Sequence, residues 1–123
     1  MNPKGCVIVL EEDALIRDLL ERWLGEAGYE VLSPQLWQAK DGQRSVPWLV
    51  VADVPSPKDA DALIRSLEAV YAAPILILSA RFRRGLAGSA EAARRLGVKR
   101  VLPKPFTRKE LLCAVRESLE ATD

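Results

Sequence analysis

Cys6-Val7-Ile8-Val9-Leu10, followed at once by Glu11-Glu12-Asp13, is the stretch that decides the fold. The first five residues form an unbroken apolar run with β-branched residues at its centre. A strand buried on both faces reads this way. The acidic triplet interrupts the run. Leu15, Ile16, Leu19, Leu20, Trp23 and Leu24 then recur at helical spacing, and Gly28 is a natural stop. A buried strand that ends in carboxylates and feeds an amphipathic helix is the opening unit of a parallel α/β sheet.

The same unit repeats down the chain. Tyr29-Glu30-Val31-Leu32 reads as a short second strand. Ser33-Pro34 reads as an N-cap and first-turn proline of a short helix through Leu36 and Trp37, ending near Asp41-Gly42. Trp48-Leu49-Val50-Val51-Ala52 is a third buried strand, stopping at Asp53. The prolines of Val54-Pro55-Ser56-Pro57 cannot continue a central strand. Leu63, Ile64, Leu67, Val70 and Tyr71 form the next helical stripe, and Ile75-Leu76-Ile77-Leu78 the fourth strand, followed by Ser79-Ala80. A basic loop, Arg81-Phe82-Arg83-Arg84-Gly85, leads to a small-residue helix from about Ser89 to Leu96. Arg100-Val101-Leu102 is a short fifth strand, and Thr107-x-x-Glu110 a capping box that opens the last helix. Five βα units in a row imply a parallel sheet covered by helices on both faces. Residues 1–123 are expected to form a single domain, with no effector domain after the last helix.

Composition narrows the function. Apolar residues make up 49% of the 123 residues and the formal net charge is +1, so no global field favours nucleic acid or a membrane surface. The apolar runs are far short of a bilayer span, and no signal-peptide pattern precedes the first strand, so a cytoplasmic location is expected. There is no histidine, which removes His-based triads and His metal sites. The two cysteines, Cys6 and Cys113, read as reduced, buried thiols.

Ligands of open α/β sheets bind beyond the carboxyl ends of the strands. Those ends carry Glu11-Glu12, Asp53 and Ser79, and Lys104 stands two residues after the fifth strand. Three carboxylates at one edge repel one another unless a cation or a lysine joins them. Mg2+ suits such a set, because it takes a few carboxylate oxygens and keeps waters for a phosphate. A carboxylate beside it can act as a nucleophile toward phosphorus, with Ser79 and Lys104 holding the phosphoryl oxygens.

On these residues the sequence resembles the receiver domains of two-component response regulators (CheY-like), over essentially its whole length. The matching features are the acidic pair Glu11 and Glu12, Asp53 with Pro57 four residues on, Ser79-Ala80, and Lys104-Pro105-Phe106. The resemblance implies a flavodoxin-like (βα)5 three-layer sandwich with a five-stranded parallel sheet in the order 2-1-3-4-5. It implies that Asp53 is the phosphoacceptor, that Glu11, Glu12, Asp53 and the carbonyl of Pro55 hold Mg2+, and that Ser79 and Lys104 bind the phosphoryl group. It also implies a cis peptide before Pro105. The expected partners are a histidine kinase or phosphotransfer protein and a downstream effector protein, with no direct nucleic-acid or membrane contact and a homodimer open to it. The chain is not expected to be an enzyme beyond Mg2+-dependent self-phosphorylation and dephosphorylation.

Three residues depart from the family pattern. Glu12 is one methylene longer than the usual Asp; a one-residue slip would put Asp13 there, although Asp13 is also a good helix N-cap. Pro55 constrains the chain next to its carbonyl. Val101 fills the switch position, where the family carries an aromatic that rotates on activation. These departures keep a second reading open, a degenerate receiver acting as a phosphorylation-independent interaction module. An unrelated nucleotide-binding protein on the same layout is disfavoured, because the acidic triplet stands where a phosphate-binding loop would be.

Overall fold

The computed structural model describes residues 4–39, 46–54, 59–79, 93–98 and 100–120. Strands β1 (Lys4–Leu10), β2 (Tyr29–Leu32), β3 (Leu49–Asp53), β4 (Ile75–Ser79) and β5 (Arg100–Pro103) alternate with helices α1 (Ala14–Glu26), α2 (Pro34–Ala39), α3 (Ala60–Tyr71) and α4 (Arg108–Glu120). All strand pairs are parallel, in the order β2-β1-β3-β4-β5. This is the expected sheet. Residues 93–96 are helical, and the rest of the helix expected from Ser89 lies outside the described residues, as do Asp41-Gly42, the loop from Ala80 to Gly85, and Pro55 to Pro57.

Period-2 alternation in the buried strands divides the core into two halves. Val7 and Val9, Leu49 and Val51, Leu76 and Leu78, and Leu102 pack against Leu20 and Leu24 of α1 and Leu111, Ala114 and Val115 of α4. The intervening residues Ile8, Val50, Ala52, Ile75, Ile77 and Val101 meet Ala60, Ile64, Leu67 and Tyr71 of α3. Trp37 of α2 joins that second half edge-on to Tyr71, with ring centroids 5.0 Å apart. Nearly all of these strand side chains are withdrawn from water, each contributing roughly 1.5–3 kcal/mol of transfer free energy.

Helix boundaries follow local chemistry. Asp13 Oδ1 accepts from the N–H groups of Leu15 and Ile16, at 2.9 and 3.2 Å, and so caps α1. Ser33 Oγ accepts from Leu36 N–H at 3.2 Å. The capping box before α4 closes in both directions, Thr107 N–H to Glu110 Oε1 at 2.8 Å and Glu110 N–H to Thr107 Oγ1 at 3.1 Å. Gly28 takes φ 101° after α1, a left-handed value that glycine adopts without strain.

Several expectations need correction. Leu15 and Val70, counted into the apolar stripes, are 72% and 55% exposed. Each lies at the margin of its stripe, outside the buried set of Leu20 and Leu24 in α1 and of Ile64, Leu67 and Tyr71 in α3. Trp48 precedes β3 instead of opening it, and is 49% exposed with its ring lying over Gly5. Cys6 and Cys113 are free but only half-buried, Cys6 near the start of an inner strand and Cys113 on the flank of α4. Among the described residues no helix is long and apolar enough to cross a membrane.

Candidate functional site at the carboxyl ends of the strands

Parallel pairing brings the ends of β1, β3, β4 and β5 side by side. Leu10 pairs with Ala52, Asp53 with Leu78, and Ser79 with Pro103. Two further backbone bonds extend this edge past the strands. Val54 N–H donates to Leu78 O at 2.9 Å, and Lys104 N–H to Ser79 O at 2.9 Å. Glu11, Asp53, Ser79 and Lys104 are thereby carried to one edge by rigid backbone.

Lys104 is the centre of the arrangement. Its Nζ lies 2.8 Å from Glu11 Oε1 and 2.8 Å from Asp53 Oδ1. The side chains are 14% (Lys104), 2% (Glu11) and 19% (Asp53) exposed, so the three charges meet largely out of water. Burial alone lowers the lysine pKa, but the hydrogen bonds it donates to Asp53 and Glu11, and their charges, outweigh it and hold it above its ordinary value. The Lys104–Pro105 peptide is cis, as expected. Phe106 packs edge-on against Trp23 of α1, with centroids 6.4 Å apart, which fixes the far side of the turn.

The two glutamates do different things. Glu11 is buried, with Oε2 3.3 Å from Asp13 N–H and its carbonyl accepting from Arg17 Nη1 at 3.1 Å. Glu12 is exposed. Asp13 is spent on the helix cap. A cavity of about 970 Å³ runs from the ends of β1 and β3 along α1 and β2, and Glu11, Glu12, Asp53 and Arg17 are among its lining residues. Ser79 is fully buried at the end of β4. Val101 is 2% exposed in β5, inside the core half that faces α3. Pro55 lies outside the described residues.

Arg17 was missed by sequence reasoning. It sits six residues after Glu11, on the turn of α1 nearest the strand end, and only that placement would have flagged it.

The donor set suits a hard divalent cation in its chemistry. Glu11, Glu12 and Asp53 carry three negative charges against one positive charge on Lys104, a formal balance of −2, and offer only oxygens. Among the described residues no three acidic, cysteine or histidine side chains stand together as a cation-holding group, and Lys104 occupies one oxygen each of Glu11 and Asp53.

No family model matches the chain. It is 35% identical over 117 residues to the transcriptional regulatory protein PdtaR of Mycobacterium tuberculosis, covering 89% of this chain and 54% of that protein. The chain spans about half the length of the curated relatives it matches. Among solved structures, a response regulator from Thermotoga maritima superposes with a TM-score of 0.71 at 20% identity, covering 98% of this chain and 100% of that one. A response regulator receiver protein from Burkholderia phymatum gives 0.68 at 22% identity, covering 97% and 98%. At these identities the structures speak to the fold.

Proposed function

Given that this chain belongs to the receiver domains of response regulators, we propose that Asp53 is its phosphoacceptor. The observation that carries this reading is the Asp53–Lys104 contact at 2.8 Å, made at a sheet edge where Ser79 also ends its strand. One Asp53 carboxylate oxygen attacks the phosphorus of a phosphohistidine on a histidine kinase or phosphotransfer protein. The P–O bond forms as the P–N bond breaks, and the imidazole nitrogen leaves with the electron pair. Lys104 and the Ser79 hydroxyl then hold the phosphoryl oxygens. Glu11, Glu12, Asp53 and the Pro55 carbonyl are the residues that would hold Mg2+, which supplies positive charge against the transferring phosphoryl group.

The domain is a signalling module, and its own chemistry is limited to Mg2+-dependent self-phosphorylation and dephosphorylation. A docking place for the phosphodonor partner is supported by α1. Leu15 is 72% exposed there, and Ile16, Leu19 and Trp23 line a mostly apolar hollow together with Lys104, Pro105 and Phe106. The output change is read on the surface of the helix that precedes β5, β5 itself and α4, and passes to a downstream effector in the cytoplasm. No observation favours the phosphorylation-independent reading.

The test is intact-mass spectrometry after incubation with Mg2+ and a small acyl phosphate. The wild type should gain one phosphoryl group and Asp53→Asn none. No gain in the wild type, or the same gain in both, would overturn the assignment.

A further inference from the structure

Glu11 is held at three points. Its Oε1 lies 2.8 Å from Lys104 Nζ, its Oε2 3.3 Å from Asp13 N–H, and its carbonyl accepts from Arg17 Nη1 at 3.1 Å. The first two contacts fix the side chain. The third fixes the peptide that joins Glu11 to Glu12. A peptide unit is planar and stiff, so a carbonyl held in place also sets the direction in which the next residue departs. Glu12 itself is exposed, and a glutamate has one more rotatable bond to immobilise than an aspartate. Arg17 is half-buried, and its own backbone N–H donates to Asp13 O at 2.9 Å, so its guanidinium reaches back from a fixed base. It lines the same cavity as both glutamates.

We propose that Arg17 is a positioning residue: by holding the Glu11–Glu12 peptide it aims Glu12 at the divalent cation of the phosphorylation site. This rests on the receiver reading for the cation, and adds which residue makes the longer Glu12 fit to bind it. Arg17 acts through Glu12 and not on the cation itself. Two effects of its guanidinium run in opposite directions. As a positive charge beside the acidic pair it opposes the arrival of a second cation. As a clamp on the backbone it spares Glu12 part of the ordering that binding demands. Groups that orient a metal's ligands are worth about tenfold or more in metal affinity. The repulsion from a half-exposed charge is weakened by water and salt. The clamp therefore wins, and loss of Arg17 weakens cation binding even though it removes a positive charge.

The experiment is isothermal titration of Mg2+ into the domain and its variants, with circular dichroism confirming each fold. Arg17→Ala should bind Mg2+ about tenfold more weakly than wild type. Arg17→Lys, which can still donate to the Glu11 carbonyl, should recover most of that loss. Arg22→Ala removes an exposed positive charge from the same helix, and should change affinity less than about twofold in ordinary salt. Arg17→Gln replaces the alanine variant, with the same expectation, if the latter does not fold. Unchanged or tighter binding in Arg17→Ala overturns the proposal, because charge alone would then account for Arg17. An equal loss in Arg17→Lys overturns it too, as does the absence of binding in wild type. Phosphoryl gain at Asp53 is read separately by mass. A wild type that gains a phosphoryl group while Arg17→Ala binds Mg2+ normally keeps the receiver reading and loses this proposal; one that binds Mg2+ but gains no phosphoryl group fails the receiver reading.

Discussion

The two ends of the sheet are built on opposite principles. At the carboxyl ends, Glu11, Asp53 and Lys104 hold one another by charge, and a buried Ser79 stands beside them. At the amino ends, Leu49 is fully buried, Trp48 lies over Gly5, and Trp48 and Val46 remain half in water. The first end is polar and enclosed; the second is apolar and partly open. Stability can be taken from the amino end without touching the chemistry. At the carboxyl end the same residues serve both, so enclosure there is kept only where charges compensate one another.

The sharpest way to break this comparison is to cut into the amino end. Leu49→Ala removes a fully buried side chain from the α1–α4 half of the core, and should cost about 2–5 kcal/mol in urea unfolding. Phosphoryl gain per folded molecule should be unchanged. If labelling falls with it, the two ends are not separable.

Gly5 offers a smaller cut at the same end. A Cβ there would overlap the Trp48 ring, and β1 carries a register irregularity between Lys4 and Cys6. Gly5→Ala should cost about 1–3 kcal/mol by overpacking. Adding Trp48→Ala should return part of that loss, a coupling that a double-mutant cycle measures directly.

Asp13→Ala tests the carboxyl end without removing a charge from the cluster around Lys104. It deletes the cap of α1 and should cost about 1 kcal/mol in thermal or urea unfolding. Because Asp13 N–H also meets Glu11 Oε2 through the backbone, that contact should survive. A loss of phosphoryl gain in this variant would place Asp13 in the cation set after all.

The smallest effect is expected in alkali. The folded pKa of Lys104 is raised, so its contribution is full below the unfolded value of 10.5 and disappears as pH climbs through the higher folded value. Tyr29 and Tyr71 are also raised, in both cases by burial first, and weaken the fold in the same direction above 10.0. Wild type should therefore lose stability more steeply than Lys104→Gln above pH 10.5. Equal slopes would mean that the charge cluster does not contribute to folding.

Much of this was legible in the sequence, for a physical reason. Strands buried on both faces announce themselves as unbroken apolar runs, and Thr107-x-x-Glu110 and Ser33-Pro34 carry their cap chemistry locally. The strand-end residues were legible because each ends an apolar run. The division of labour between Glu11 and Glu12 was not. Adjacent residues at a strand end leave on different sides, and which one meets Lys104, 93 residues away, depends on packing that no local pattern encodes. The same limit explains Leu15, Val70 and Trp48. Periodicity defines the centre of an apolar stripe but not the margin at which water begins.

The central claim is that Asp53 carries the phosphoryl group within the Lys104 cluster. Borohydride reduction of the domain after treatment with Mg2+ and an acyl phosphate, followed by peptide mapping, tests it most directly. Reduction converts an aspartyl phosphate to homoserine. The account predicts homoserine at position 53 and nowhere else. Homoserine at another aspartate, or none in a protein that has gained phosphoryl mass, would contradict it.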